Sequence, residues 1–203
     1  MLLLESYEEH EHHLPQSGKF IIAQFDKESI IVYQAFKDSI AKYAVENQKF
    51  GGEDYDFNRV TRLKPSFLWM MYYSGWAKKE DQENVLAIRI SRKGFDEILK
   101  TAVMAGSKQT AGGDIELKWE PYYDLHGNKS ERKAAKLVLK GGMLQRYNNE
   151  YLIEIQNITP FVKEQQQLLL AHKEHALKMP RERAYAPNDL TILPKLNATT
   201  ISL

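Results

Sequence analysis

The chain of 203 residues contains no cysteine. Disulfide bonds, thiolate nucleophiles and thiolate metal sites are therefore excluded, and a reducing compartment is compatible with the sequence. The chain also lacks an excess of charge of either sign, since 28 lysines and arginines stand against 27 aspartates and glutamates. A net charge of +1 creates no global field that gathers nucleic acid or an anionic membrane. Any binding of nucleic acid must therefore depend on a local basic patch.

Long hydrophobic runs are missing as well. The apolar opening at residues 2–4 is followed at once by Glu5, Glu8 and Glu9, without the basic start and apolar length of a signal peptide. The other apolar runs fall far short of the roughly 18 residues that span a bilayer. We therefore expect a cytoplasmic protein with no membrane partner, and the sequence leaves its oligomeric state open.

Glycine-rich phosphate loops and internal repeats are also absent from the sequence. The apolar patterns predict two strands, a helix and a central segment, followed by a strand, a helix, three strands and a helix. Strands interleaved with few long crossover helices indicate one α+β domain with a curved, mostly antiparallel sheet flanked by short helices. We place this domain at residues 19–178, between a flexible lead-in at 1–18 and a proline-containing tail at 179–203. The small, polar segment 106–113 is predicted to be a flexible connection.

Apolar residues at helical and alternating spacing predict the core of the domain. Seven side chains are assigned to it: Phe67, Leu68, Trp69, Leu86, Ile88, Ile153 and Ile155.

Segment 59–76 combines cations with the most apolar and aromatic run of the chain. Arg59, Arg62 and Lys64 precede Pro65 and Ser66, a pair typical of the start of a helix. Free N–H groups and the helix dipole favour an anion there. We therefore predict that the three cations and Ser66 bind a phosphate of a nucleotide or nucleic acid. The simpler alternative is a core helix whose flanking cations are only solvated.

The same segment carries a resemblance to a known family. Its Lys-Pro-Ser-Phe-Leu-Trp-Met run at 64–70 and Ser-Gly-Trp at 74–76 are similar to the hallmark of the bacterial and fungal family called domain of unknown function 4291 (DUF4291). Further matching pieces are at 32–35, 85–90, 119–121 and 180–185, so the resemblance runs from about Lys19 to about Tyr185. Tyr73 departs from the arginine expected at this position, which removes one cation from the predicted site. The family name implies no activity, so the resemblance fixes the domain and leaves the chemistry open.

Polar residues on an early and a late strand are candidates for chemistry. Gln34 ends an apolar strand, where its amide can contact a ligand amide or base. Glu150 lies at the start of a late predicted strand and Glu154 in its middle, and either can be an acid, a base or a cation stabiliser if a cleft desolvates it. This arrangement, with the Tyr72/Tyr73 pair as a central aromatic, resembles ADP-ribosyltransferase folds that bind NAD, although Gln34 replaces their usual histidine or arginine. The simpler interpretation leaves both glutamates and Gln34 at solvent-exposed positions.

Further aromatic and cationic side chains complete the predicted substrate site. Trp69, Trp76 and Trp119 are candidates for stacking on a base, although aromatic residues at such positions more often belong to the core. Arg89 interrupts an apolar strand and is a candidate contact to a substrate anion.

These features together predict an enzyme that acts on a nucleotide-containing substrate, with Lys64, Glu150 and Glu154 as catalytic candidates and NAD or a nucleoside triphosphate as cofactor. The alternative is a non-enzymatic RNA- or nucleotide-binding module of the small β-barrel kind, and a purely structural interaction protein is a third hypothesis. We expect no metal site, because the adjacent histidines of the lead-in define no coordination geometry.

Overall fold

The computed structural model describes residues 2–107 and 113–200, and these form an α+β fold. The predicted connection at 106–113 lies mostly outside the described residues. The helices are α1 (Tyr7–His13), α2 (Asp38–Asn47), α3 (Phe67–Ser74), α4 (Arg92–Thr101), α5 (Gly141–Arg146), α6 (Thr159–Leu170) and α7 (Ile192–Lys195). The strands are β1 (Leu4–Ser6), β2 (Gly18–Lys19), β3 (Ile22–Ala23), β4 (Ser29–Phe36), β5 (Thr61–Leu63), β6 (Asn84–Ser91), β7 (Val103–Met104), β8 (Ile115–Tyr123), β9 (Lys129–Leu139), β10 (Leu152–Asn157), β11 (Lys178–Pro180) and β12 (Arg183–Ala184).

Two sheets meet at the end of β4. The first sheet is antiparallel, in the order β10-β6-β4, and the second has the order β2-β9-β8-β7 with β5 added beside β9. An antiparallel bridge between Tyr33 of β4 and Lys64 just after β5 connects them. The result is a curled, mainly antiparallel arrangement, as the strand pattern predicted.

Alternation along β4 gives the protein two cores. Ile30 and Val32 pack on one side, with α2, α4 and the inner face of the second sheet, whereas Ile31 and Tyr33 pack on the other side, with α3 and α6. Six of the seven predicted core residues are buried, and Trp69 is only 2% exposed.

The seventh core prediction, Ile153, is wrong. Its side chain is 53% exposed, while Ile155 is buried. The register between β10 and β6 shifts between Leu152 and Glu154, so strict alternation does not hold at this point of the strand.

Residues 2–18, which we predicted to be a flexible lead-in, pack against the tail. β1 pairs with β11, and a capping box between Ser6 and Glu9 starts α1. His10 is fully buried, with its ring nitrogens near the Pro180 carbonyl (3.1 Å) and the Tyr122 hydroxyl (3.3 Å). The fold therefore includes both ends of the described chain.

In the part of the chain that the structure describes, no helix is both long and apolar enough to cross a bilayer.

Candidate functional site

A cleft of about 330 Å³ opens where the end of β4, the start of α2, loop 54–62 and α3 meet. This volume is at the lower end of the range for small-ligand sites, about 300–1,000 Å³. One wall is apolar and consists of Ala35, Phe36, Ile40 and Val60. The polar and charged lining residues are Gln34, Lys37, Asp54, Arg59, Thr61, Arg62, Lys64, Tyr73, Asp81 and Gln82.

Lys64 forms the floor of the cleft. Its backbone is fixed by two hydrogen bonds with Tyr33, one donated by each N–H, at 2.7 and 3.2 Å. The residue is 3% exposed, and its Nζ lies 3.9 Å from the centre of the Tyr73 ring and 5.3 Å from that of Trp69. Among the described residues, no carboxylate forms an ion pair with it. Lys64 is therefore a buried amine held against aromatic faces at the bottom of an open cleft.

The environment of Lys64 weakens its hold on a proton. Burial, followed by the neighbouring Arg62 and Lys136, lowers the pKa of Lys64 to about 7, while Glu120 opposes this shift. The amine therefore changes its charge near neutral pH, a property that a solvated lysine does not have.

Two arginines stand on the rim of the cleft. Arg59 and Arg62 are exposed, and no described carboxylate is within ion-pair distance of either guanidinium. Lys37, by contrast, donates to Asp54 at 2.7 Å, so its charge is already balanced. The rim consequently offers two unpaired guanidinium groups to an incoming anion.

Gln34 lines the cleft but is hydrogen-bonded at both ends of its amide. It donates to the Thr61 hydroxyl at 2.7 Å and accepts from the Tyr147 hydroxyl at 3.0 Å. These bonds connect β4 to Thr61 at the start of β5 and to the π-helical turn Tyr147–Tyr151. Gln34 therefore shapes the cleft, and its contact with a ligand is limited to the remaining lone pair and N–H.

Ser66 does not lie in the cleft. It is 2% exposed at the N-terminus of α3 and is not among the residues that line the cleft. The Phe67 N–H, at the first position of α3, donates a hydrogen bond to Glu182 Oε1 at 2.7 Å. The start of α3 is therefore occupied by a carboxyl group from the chain's own tail.

Glu150 and Glu154 are not brought to Lys64. Glu150 is exposed on the π-helical turn beside Arg146 Nε (3.3 Å). Glu154 pairs with Arg89 at 3.3 Å across β10 and β6. Three strand spacings separate Glu154 from Lys64, which corresponds to roughly 14 Å between the backbones. Arg89 likewise lies outside the cleft.

The predicted aromatic residues divide between site and core. Tyr73 lines the cleft, and Trp69 stacks behind it, with ring centres 5.5 Å apart. Trp76 packs edge-on against Phe67 at 6.4 Å, and Trp119 donates to the Leu196 carbonyl at 2.8 Å. Trp76 and Trp119 thus serve as packing residues.

The structure adds carboxylates and a lysine that we did not predict. Asp54 and Asp81 line the cleft, and Glu120 of β8 bonds to Lys136 of β9 close to Lys64. The alternation of Glu120 with Leu117 and Trp119 indicated which face of β8 it occupies, but its contact with Lys136 follows only from the pairing of β8 with β9. In the described part of the chain, histidines and carboxylates form no cluster of three that is arranged to hold a metal ion.

Comparison with known proteins gives one family. The family described as Domain of unknown function (DUF4291) matches residues 20–185, which include every cleft residue named above. No curated protein matches the chain.

Proposed function

The chain belongs to the DUF4291 family, whose description assigns no activity, and from the geometry of the cleft we propose that it is an enzyme acting on a nucleotide-containing substrate. The observation that carries this proposal is Lys64. A buried lysine without a carboxylate partner is costly to the fold, and such a group at the bottom of an open cleft is best explained by a bound anion.

The cleft matches the two halves of a nucleotide. Its apolar wall, with Phe36, Ile40 and Val60, suits a base or ribose. Arg59 and Arg62 can bind phosphate oxygens in a bidentate manner, with Lys64 beneath them. Asp54 and Asp81 lie on the rim, where carboxylates can accept from ribose or base N–H and O–H groups.

Lys64 is the catalytic group of this proposal. A phosphate bound beside it raises its pKa, so the amine takes up a proton as the substrate binds. A water molecule or an acceptor hydroxyl forms the new P–O bond and releases its own proton to solvent, while the P–O bond to the leaving oxygen breaks. The ammonium can stabilise the charge on that leaving oxygen and donate its proton to it. A pKa of about 7 in the free protein allows the amine to regain a proton from solvent after turnover.

The NAD-cleaving version of the proposal has less support than phosphate chemistry. Gln34 and Tyr73 lie at the cleft, as the resemblance to ADP-ribosyltransferases requires, but Glu150 and Glu154 are elsewhere. The non-enzymatic binding module is the second candidate, favoured by the absence of these two glutamates from the cleft.

The test combines binding and turnover with the variant Lys64→Met. Wild-type protein should be stabilised by ATP, GTP or NAD in a thermal-shift assay, and calorimetry at pH 8 in two buffers should show proton uptake. Lys64→Met should lose about 1.5–3 kcal/mol of binding and the proton uptake. The matched control Lys163→Met, at an exposed position of α6, should retain the binding and the proton uptake.

Turnover decides between enzyme and module. Conversion of the bound nucleotide, followed by chromatography and lost in Lys64→Met, supports the enzyme. Binding without conversion supports the binding module. Equal affinity of Lys64→Met and wild type for the nucleotide would show that Lys64 has no role in binding under either proposal.

A further inference from the structure

An exposed aromatic pair lies on the sheet beside the cleft. Tyr72 of α3 and Tyr123 at the end of β8 stack face to face, with ring centres 3.5 Å apart and planes inclined by 9°. Tyr72 is nevertheless 51% exposed, and it is the one aromatic among the large hydrophobic side chains that the described residues leave exposed. We call these two residues the tyrosine platform. The half-exposed ring of Tyr72 can stack on a further planar group.

A row of charges joins the platform to the cleft. Alternation places Arg62 and Lys64, Lys136 of β9, and Lys118 and Glu120 of β8 on one sheet face. Lys136 Nζ donates to Glu120, and Lys118 Nζ lies 3.5 Å from the same carboxylate. We call this face, from Arg62 to the platform, the strip.

Glu120 stands between the two ends of the strip. Its charge acts on Lys64 at one end. At the other end the pKa of Tyr123 is raised, first by its hydrogen bond with Tyr72 and also by Glu120. The cleft and the platform are also connected through α3, because Tyr73 lines the cleft and the next residue towards the N-terminus, Tyr72, belongs to the platform.

The strip has a positive charge balance. By the alternation of the strands, Arg62, Lys118 and Lys136 share this face with two carboxylates, Glu116 and Glu120, and Lys64 adds a further positive charge when it is protonated. Lys118 reaches into solvent only in part, since its side chain is 59% exposed and its Nζ lies 3.5 Å from Glu120. A chain net charge of +1 makes this a local excess, which is what a partner with a repeated negative charge requires.

We infer that the strip binds single-stranded nucleic acid, with one nucleotide in the cleft and a neighbouring base stacked on Tyr72. This inference rests on the proposed function and names its substrate class as a nucleotide within a strand. A single strand supplies both a regular anion and unpaired flat bases, and the strip offers cations and an exposed ring side by side. A duplex fits less well, because its bases are already stacked on each other.

The experiment measures fluorescence anisotropy of labelled 12-nucleotide A-rich RNA, the same sequence in DNA, and the RNA duplex. Wild type should bind a single strand of either kind more tightly than the duplex, with an affinity that falls steeply with salt. Tyr72→Ala should weaken this binding about tenfold, whereas Tyr72→Phe should retain it, because a phenyl ring still stacks. Lys118→Gln should reduce the salt slope by about one, and Lys163→Gln should not.

Mononucleotide binding separates the inference from the proposed function. Tyr72→Ala should bind ATP as wild type does, because Tyr72 does not line the cleft. Binding of ATP together with failure to bind either single strand overturns the inference and leaves the proposed function in place. Failure of both ligands overturns both. Equal affinity for polyglutamate, or unchanged strand binding in Tyr72→Ala and Lys118→Gln, also overturns the inference.

Discussion

Two buried ionisable groups lie at the two ends of segment 64–67, Lys64 at its start and Glu182 against the Phe67 N–H at its end, and their surroundings differ. Lys64 faces an open cleft with aromatic rings behind it and no described carboxylate beside it. Glu182 is enclosed, and its Oε1 accepts the Phe67 N–H at the start of α3. Both groups lose hydration, but only Glu182 replaces it with a hydrogen bond from the chain.

The comparison shows how to distinguish a buried ionisable group that stabilises the fold from one that serves a binding site. Burial raises the pKa of Glu182 well above its usual range, and a neutral carboxyl group is the form that an enclosed position favours. Lys64 changes charge near neutral pH at a place that solvent and solutes can enter. A group of the first kind should control stability, and one of the second kind should control binding. The predictions below test this division.

Glu182→Ala should have the largest effect on stability. It leaves the Phe67 N–H without its acceptor and creates a cavity in a fully buried position, so we expect a loss of about 2–4 kcal/mol in urea unfolding. The control Glu182→Gln keeps the oxygen acceptor and nearly the same volume, and it should remain within about 1 kcal/mol of wild type near pH 4, where the carboxyl is protonated in the folded protein. Equal stability of Glu182→Ala and wild type would mean that Glu182 does not hold α3.

The same pair of proteins reports the protonation of Glu182. Its folded pKa is raised, so its contribution to stability is fully present below the unfolded pKa of about 4.3 and is lost as the pH rises through the folded pKa. Wild type should therefore gain stability over Glu182→Gln as the pH is lowered, by up to about 1.4 kcal/mol per pH unit within that window. A pH-independent difference would place the carboxyl in one protonation state throughout.

Lys64→Met should act in the opposite direction and raise stability. The folded pKa of Lys64 is lowered to about 7, so its penalty is absent above the unfolded pKa of about 10.4 and complete below about pH 7. Removing it should add about 0.5–2 kcal/mol at pH 6, as stabilising changes at functional sites commonly do. The measurement is urea unfolding at pH 6 and pH 9.5, where the gain should shrink, with exposed Lys163→Met as the neutral control. A loss of stability at pH 6 would show that the aromatic contacts outweigh the burial of charge.

Local patterns were enough to predict the class of fold and much of the cleft. Apolar spacing gave the α+β class and six of seven core residues, and the cations before α3 led to Arg59, Arg62 and Lys64 at one cleft. These features depend on neighbours in sequence, so a single chain carries them.

Long-range pairing explains what the sequence did not reveal. Glu182 reaches the start of α3 from 115 residues away, and the bulge in β10 turns Ile153 outward. Glu120 meets Lys136 only because β8 and β9 pair in one register. No periodicity within a segment encodes such partners, since they depend on which strands become adjacent.

Tyr147→Phe should have the smallest effect on stability, and it tests whether a residue that lines the cleft, Gln34, belongs to the fold or to the binding site. Gln34 lines the cleft, yet its amide is bonded to Thr61 and Tyr147, so it belongs to the fold by the same reasoning that applies to Glu182. Removing the Tyr147 hydroxyl leaves Gln34 Oε1 unpaired and should cost about 0.5–1.5 kcal/mol, with nucleotide affinity unchanged.

Tyr151→Phe on the same π-helical turn is the matched control. Its buried hydroxyl has no hydrogen-bond partner among the described residues, and its loss should cost less than that of Tyr147. Urea unfolding and nucleotide titration of both variants measure the two quantities. A large drop in nucleotide affinity with unchanged stability would show that Gln34 acts in ligand binding and not in stabilising the fold.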